Sequence, residues 1–299
     1  MPAAAAQSYA AQFGLGTIGG NSTATSRYDF RDTDIGLQEN FIDANGLRGT
    51  TSHVIERNLA GNRPCGGSVT MQPTAVELAG MLQWIMGGNT SGSGTVTYPL
   101  ADTRPQRSVV VDRVTNVYSY NTAAVGSWSL SGSEDQALTW NLNVVALDEY
   151  VAASGSFPSL TLDTTTFPFK FTDCVVNCGG VVYTPKSFRL NANYMIDTGR
   201  FFNSQTLTGI FSRDRQITFE APFPDAEAHA LYGVGRGGFS VLITATAANA
   251  VLTLSMAAVA APRITPAVPE RNEIMLNIKG QAFRSGSTLE LVTTLNATA

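Results

Sequence analysis

The chain is predicted to be mainly β, built as two related β-rich units, residues 1–155 and 156–299, each with one short helix packed on its sheet. Three observations carry this reading. Val69-Thr70-Met71, Pro73 and a helix closing at Gly87-Gly88 form a strand, proline, helix and glycine stop; a shorter version returns at Ile217-Thr218-Phe219, Pro222, Pro224 and Gly233. After each helix comes a run with the period-two alternation of a sheet that buries one face. Turn residues bound these runs, as they bound strands.

Taken in order, residues Gly20 to Thr51 hold Arg27, Asp29, Arg31, Asp32, Asp34, Glu39, Asp43 and Arg48 on an apolar-polar background. That suits a long projecting hairpin or arm whose mixed charges pair with a neighbour. Thr74 with Glu77 is a capping box, each side chain able to satisfy an orphan N–H of the first helical turn. Leu78, Met81, Leu82 and Ile85 then make one apolar stripe, and Gly87 supplies the left-handed stop. Leu138, Trp140, Leu142 and Val144 alternate with Thr139, Asn141 and Asn143.

In the second unit, Phe188–Met195 and Phe201–Ile210 are predicted as two long strands joined at a tight turn, Asp197-Thr198-Gly199. Asp225 is the expected N-cap of the second helix, Glu227 lies in its first turn, and Ala226, Ala230 and Leu231 form a smaller apolar face. Val251–Ala261 is too short for a membrane span and ends at Pro262, so it is expected to be a buried strand. Ile274, Leu276 and Ile278 repeat the alternation.

Composition narrows function. Charged residues are 14% of the 299, against roughly 25% in ordinary soluble domains, which favours a surface covered by other subunits. The net charge of −4 lacks the basic footprint of a protein that grips nucleic acid, so any contact with DNA is expected to be non-adhesive. Met1 to Ala11 has neither the basic region nor the apolar run of a signal peptide. Three cysteines, Cys65, Cys174 and Cys178, form no disulfide framework and are expected to be buried free thiols in a reducing compartment.

No catalytic residue, metal or cofactor is expected. Cys65, Cys174, Cys178, His53 and His229 give no zinc-ligand spacing. The GxGxxG matches at Gly14–Gly19 and Gly233–Gly238 lie in a terminal loop and after a helix, where a dinucleotide site requires strand then helix. No GxSxG occurs, and the pairs Asp148-Glu149 and Glu134-Asp135 are chain neighbours pointing to opposite faces.

The order of elements resembles a known family. Trp84-Ile85-Met86-Gly87-Gly88, Tyr98-Pro99-Leu100, Ser127–Ser131 and Ala137–Val144, with Phe167–Phe171, Ser187–Tyr194 and Arg215–Glu220, look like the tail tube proteins of long-tailed bacteriophages over about residues 45 to 295. The resemblance implies β-sandwich or barrel-like units whose inner strands join into one continuous β-barrel in a ring. It also implies stacked rings that conduct the genome, virion localisation after assembly in the bacterial cytoplasm, other tail proteins as partners, and no membrane. With two units per chain, trimeric pseudo-sixfold rings are favoured over hexamers. Asp197, Asp214, Glu220 and Glu273 are then the expected channel-facing acids, and Arg27, Asp29, Arg31, Asp32, Asp34, Glu39 and Asp43 the expected contacts between subunits or rings. The alternative is a β-sandwich binding module, an adhesin or minor decoration protein, which would present aromatic residues on an open face; Trp84, Trp128 and Trp140 lie in patterns that bury them.

Overall fold

The computed structural model describes residues 10–19, 23–43, 58–91, 94–153, 155–201, 203–232, 234, 237–269 and 272–297, and only the backbone of Asp43, Ser91, Glu227 and Ala297. The first half contains β1 (Gln12–Ile18), β2 (Ser26–Tyr28), β3 (Asp32–Thr33), β4 (Gly36–Leu37), β5 (Phe41–Asp43), β6 (Asn58–Ala60), β7 (Cys65–Met71), α1 (Ala75–Met86), β8 (Thr90–Ser91), β9 (Thr95–Pro99), β10 (Arg107–Asp112), the long β11 (Asn116–Ser133), β12 (Thr139–Ala146) and β13 (Asp148–Ala153). The second half holds β14 (Cys174–Cys178), β15 (Val181–Tyr183), β16 (Ser187–Asn193), β17 (Gln216–Pro224), α2 (Asp225–Tyr232), β18 (Phe239–Ala247), β19 (Ala250–Ala260), β20 (Met275–Phe283) and β21 (Val292–Ala297). The chain is mainly β, as the alternation requires.

Strand pairing is antiparallel throughout and follows one scheme in each half. In the first, β1 pairs with β2 and β10, β10 with β11, β11 with β12 and β13, β12 with β7, and β7 with β3 and β4. In the second, β14 pairs with β15 and β18, β18 with β19, β19 with β20 and β21, β20 with β17, and β17 with β16. Each helix follows the corresponding strand, α1 after β7 and α2 after β17. A seam joins the halves: β11 continues along β16 from Ser127 opposite Asn193 to Ser133 opposite Ser187. β21 also pairs with β9.

Helix α1 forms for the reasons its residues supply. The Glu77 N–H donates to Thr74 Oγ1 at 3.3 Å, and Glu77 Oε2 accepts from the Thr74 N–H at 2.8 Å. The other Glu77 oxygen accepts from the Asp29 N–H at 2.9 Å, so the capping residue also fastens the chain after β2. Leu78, Met81, Leu82 and Ile85 are fully buried. At Gly87 the backbone turns left-handed, φ 92°, and an added Cβ would lie 2.8 Å from the Thr103 carbonyl oxygen. Gly87→Ala is therefore expected to cost about 2 kcal/mol from the left-handed penalty and this clash, read as a lower denaturant midpoint with unchanged slope.

One core spans both halves. Trp84, Trp128 and Trp140 are buried, with the last two rings 5.2 Å apart. Trp128 Nε1 donates to Tyr194 Oη at 2.8 Å, and Tyr194 Oη donates to the Ile85 carbonyl at 2.9 Å. Arg104 lies over the Tyr194 ring, 3.9 Å from its centroid. A strand of the first half, its helix end and the residue just past β16 are thus tied at one hydroxyl.

Three expectations are corrected. Only the first of the two strands predicted for 188–210 exists, because residues 194–215 form an irregular excursion instead. The Asp197 carboxylate accepts from the Gly199 N–H at 3.1 Å, Arg200 Nε at 2.9 Å and Arg213 Nη2 at 2.7 Å, which closes a loop where a tight Asp197-Thr198-Gly199 turn was expected. The arm is also shorter than predicted. β2 pairs with β1, and β3 and β4 with β7, so Arg27, Asp29, Arg31, Asp32 and Asp34 lie along the sheet; among the described residues of the arm only the β5–β6 ribbon stands apart. Gly14 and its GxGxxG run lie in β1, not in a terminal loop; a Cβ at Gly14 would meet Ala24 Cβ at 2.6 Å. Gly233, Gly235 and Arg236 of the second match, together with Arg48, His53 and the Asp43 and Glu227 side chains, lie outside what the structure describes.

The other expected elements are present, but α2 begins at Asp225 itself and buries Ala228 with Leu231, leaving the expected Ala226 and Ala230 exposed. β19 is buried at Ala250, Leu252, Leu254, Met256 and Val259. Cys65 and Cys178 are buried and Cys174 half-buried, all free, and burial pushes each thiol up to about 12.

Candidate functional site

The feature that collects polar residues is a face of the sheet. Along β7, β12, β11, β16, β17 and β20, alternate side chains enter the core: Val69, Leu142, Leu130, Leu190, Phe219 and Ile278 are each buried. The residues between them share the opposite face, and the strand registers place them in straight rows. One row runs Thr70, Asn141, Ser129, Asn191, Thr218, Gln281 across six strands. A second runs Ser68, Asn143, Ser127, Asn193, Gln216. Every side chain in these two rows is a neutral amide or hydroxyl.

Neighbours within the rows bond to each other. Asn141 Nδ2 donates to Thr70 Oγ1 at 3.0 Å, and Gln216 Nε2 donates to Gln281 Oε1 at 3.3 Å. Charge enters only in a third row: Thr139, Ser131, Arg189, Glu220, Lys279. There Glu220 stands between two cations, 4.0 Å from Lys279 Nζ, and the Arg189 Nε donates to Asn191 Oδ1 at 2.9 Å. Two acids border the face at the β3–β4 edge. Asp32 is opposite Thr70, and the Asp34 carboxylate accepts from the Ser68 N–H and hydroxyl, which lowers its pKa.

The two ends of this face differ. At one, residues 38–43 and 58–64 lie between β4 and β7, and residues 194–201 and 203–215 between β16 and β17. These two excursions meet, with the Arg63 N–H donating to the Gln205 carbonyl at 2.6 Å. The β5–β6 ribbon of the first exposes Phe41, Ile42 and Leu59, each more than half accessible. At the other end lie the charged row and a salt bridge between Lys186 and Glu273, 3.7 Å.

Of the acids expected to face a channel, Glu220 is on the polar face. Asp197 and Asp214 belong to the excursion after β16, and Glu273 lies just before β20 at the opposite end. The hydrogen bonds from Arg213, Arg200 and the Gly199 N–H hold the Asp197 carboxyl well below the usual carboxylate range. Among the residues expected at contacts, Arg27, Asp29, Arg31, Asp32 and Asp34 cluster along the β2–β4 edge, while Glu39 leads into the ribbon and is exposed. The neutral rows were not anticipated residue by residue. Their only trace in the sequence is the Asn, Ser and Thr filling of the alternating strands.

Among the described residues, no three His, Cys, Asp or Glu side chains gather as a metal site, and no helix is long and apolar enough to cross a membrane. The two central rows of this face offer a neutral surface of amides and hydroxyls. The family described as phage tail tube protein matches residues 3–282. The chain belongs to that family. The chain is thus a structural component of the phage virion tail, in a family of structural phage tail proteins. No curated protein matches this tail tube protein.

Proposed function

We propose that the tail tube protein closes into rings of three chains, in which each half takes the place of one tube subunit, and that the rings stack into a conduit for the phage genome. The recurrence of one pairing scheme in both halves carries this reading. By that scheme each half supplies four strands to the polar sheet: β3 with β4, β7, β12 and β11 from the first, and β16, β17, β20 and the end of β19 from the second. Three chains of eight strands would close a continuous barrel roughly 45 Å across at the backbone, given the usual strand spacing and tilt. That leaves room for a duplex.

The polar face lines the channel. Hydroxyls and amides hydrogen-bond to water and present no fixed cation to phosphate, so DNA passes without releasing its counterions to the wall. Glu220 is the channel acid, flanked by Arg189 and Lys279; Asp197 and Asp214 stand at one mouth and Glu273 at the other. Stacking uses the two excursions, with Glu39 and the apolar tip of the β5–β6 ribbon meeting the next ring. Arg27, Asp29, Arg31, Asp32 and Asp34 border the contact between chains, and other tail proteins cap the stack. Assembly takes place in the bacterial cytoplasm.

Negative-stain electron microscopy of the purified chain at high concentration, with native mass determination, tests this. Rings of three chains with an open channel, single or stacked into tubes, are expected. Six-chain rings would overturn the equivalence of the halves, and a monomer at every concentration would overturn ring formation.

A further inference from the structure

We propose that residues 261–268, which follow β19, form a strand that pairs with β3 and β4 of a second copy of this chain, repeating between copies the β11–β16 seam found within one. The proposal rests on the ring reading above. Four observations support it. β11 takes β12 on one side and β16 on the other, over Ser127–Ser133. Its counterpart β19 meets β20 only through Ala258–Ala260, and residues 261–269 form no strand. β20 meanwhile runs on to Met275 paired with β17, and among the described residues its other edge is unpaired from Met275 to Gly280. The segment has a template beside it and does not use it.

Prolines account for this. The Gly179 N–H bonds to the Ser240 carbonyl, so Ser240 faces β14 and its neighbours Phe239 and Val241 face β19. Val259, opposite Phe239, therefore faces β18, and Ala260 faces β20. Continued straight, the N–H groups turned to β20 would be those of 262, 264 and 266. Pro262 and Pro266 have none. The outward edge keeps its donors, and a free chain is spared a standing edge strand that would pair indiscriminately.

The receiving edge is equally specific. Among the described residues β3 and β4 pair only with β7, and beyond them opens a groove of about 780 Å³ bordered by Gln12, Arg31, Asp32, Thr33, Arg113 and Val114. The corresponding place in the second half is filled by the β11–β12 turn, where the Leu138 N–H bonds to the Phe169 carbonyl at 2.8 Å and the Phe171 N–H to the Gln136 carbonyl at 3.0 Å. The β19–β20 loop is the matching element, and it exposes Ile264 at 49% and Val268 at 81% with no cover. A second copy supplies both the edge and the groove.

Carrying the β11–β16 register across places Ile264 beside Asp32 of the next copy. Asp32→Cys with Ile264→Cys, treated with a short bismaleimide, is expected to give a covalent ladder that stops at three chains, and neither single variant should do so. The linker tolerates a one-residue slip, which moves a cross-strand neighbour to roughly 7–8 Å. Rings visible by microscopy without this link would overturn the joint and leave the ring standing; no rings at any concentration would overturn both. Replacing residues 263–268 by a glycine-serine stretch of equal length checks the same point without cysteine. A monomer with unchanged unfolding is expected, and ring formation by that variant would overturn the joint.

Discussion

Tyr194→Phe is expected to lower the free energy of unfolding by about 2 kcal/mol, because it removes one oxygen from the middle of two buried hydrogen bonds. The hydroxyl is fully buried, accepts from Trp128 Nε1 and donates to the Ile85 carbonyl. Ile85 keeps a bond from Arg104 Nη1 at 3.3 Å, so the orphan left behind is the indole N–H. Urea unfolding followed by tryptophan fluorescence reads the loss. Trp128→Phe should remove about half of the difference between Tyr and Phe at 194, a coupling of about 1 kcal/mol in the double-mutant cycle. Additive losses would show that the bond contributes nothing. Burial holds the Tyr194 hydroxyl above its ordinary pKa of 10.0. The group is neutral when protonated, so its contribution is complete below pH 10 and falls as pH rises toward the folded value.

Asn141→Arg with Asn191→Arg is expected to turn a non-adhesive surface into one that holds DNA. Both residues lie in the neutral middle row, on β12 and β16, and both are accessible enough to accept a long side chain without entering the core. Each new phosphate contact steepens the dependence of log affinity on log salt by about 0.9. Assembled tubes of the variant should retain labelled duplex at 50 mM salt and lose it by roughly 200 mM, a change of at least about tenfold in affinity. Wild-type tubes, and tubes with glutamine at both positions, should retain none. Equal behaviour of the three would mean that this face does not meet DNA.

How much of this was legible in the sequence depends on the range of the interaction that decides each element. Helix α1 was legible in full, because the Thr74–Glu77 box, the stripe from Leu78 to Ile85 and Gly87 act within a few residues of one another. Strands β12 and β20 were legible from alternation, and β19 as an apolar run too short to span a membrane that ends at Pro262. The run 201–210 alternates in sequence too, but Asp197 recruits Arg200 and Arg213, and those ion pairs shape the segment before a partner strand can. The polar rows were hidden for another reason: Thr70 and Gln281 share a row only through five successive registers, which no window of sequence contains. Glu220 was singled out because it is charged and lies in a strand; Asn141 and Asn191, neutral and numerous in kind, gave no signal of their own.

The described residues of the two excursions, 38–43 with 58–64 and 194–201 with 203–215, leave the same end of the sheet, while the charged row and the Lys186–Glu273 bridge occupy the other. An object whose two sides are unlike adds head to tail, and a head-to-tail contact that does not close upon itself propagates as an open filament. A tube stacked as proposed would accordingly have a direction: its leading and trailing rings would present different chemistry, so one end could be started and the other stopped by different molecules, and no ring could be inserted upside down without leaving its ribbons facing nothing.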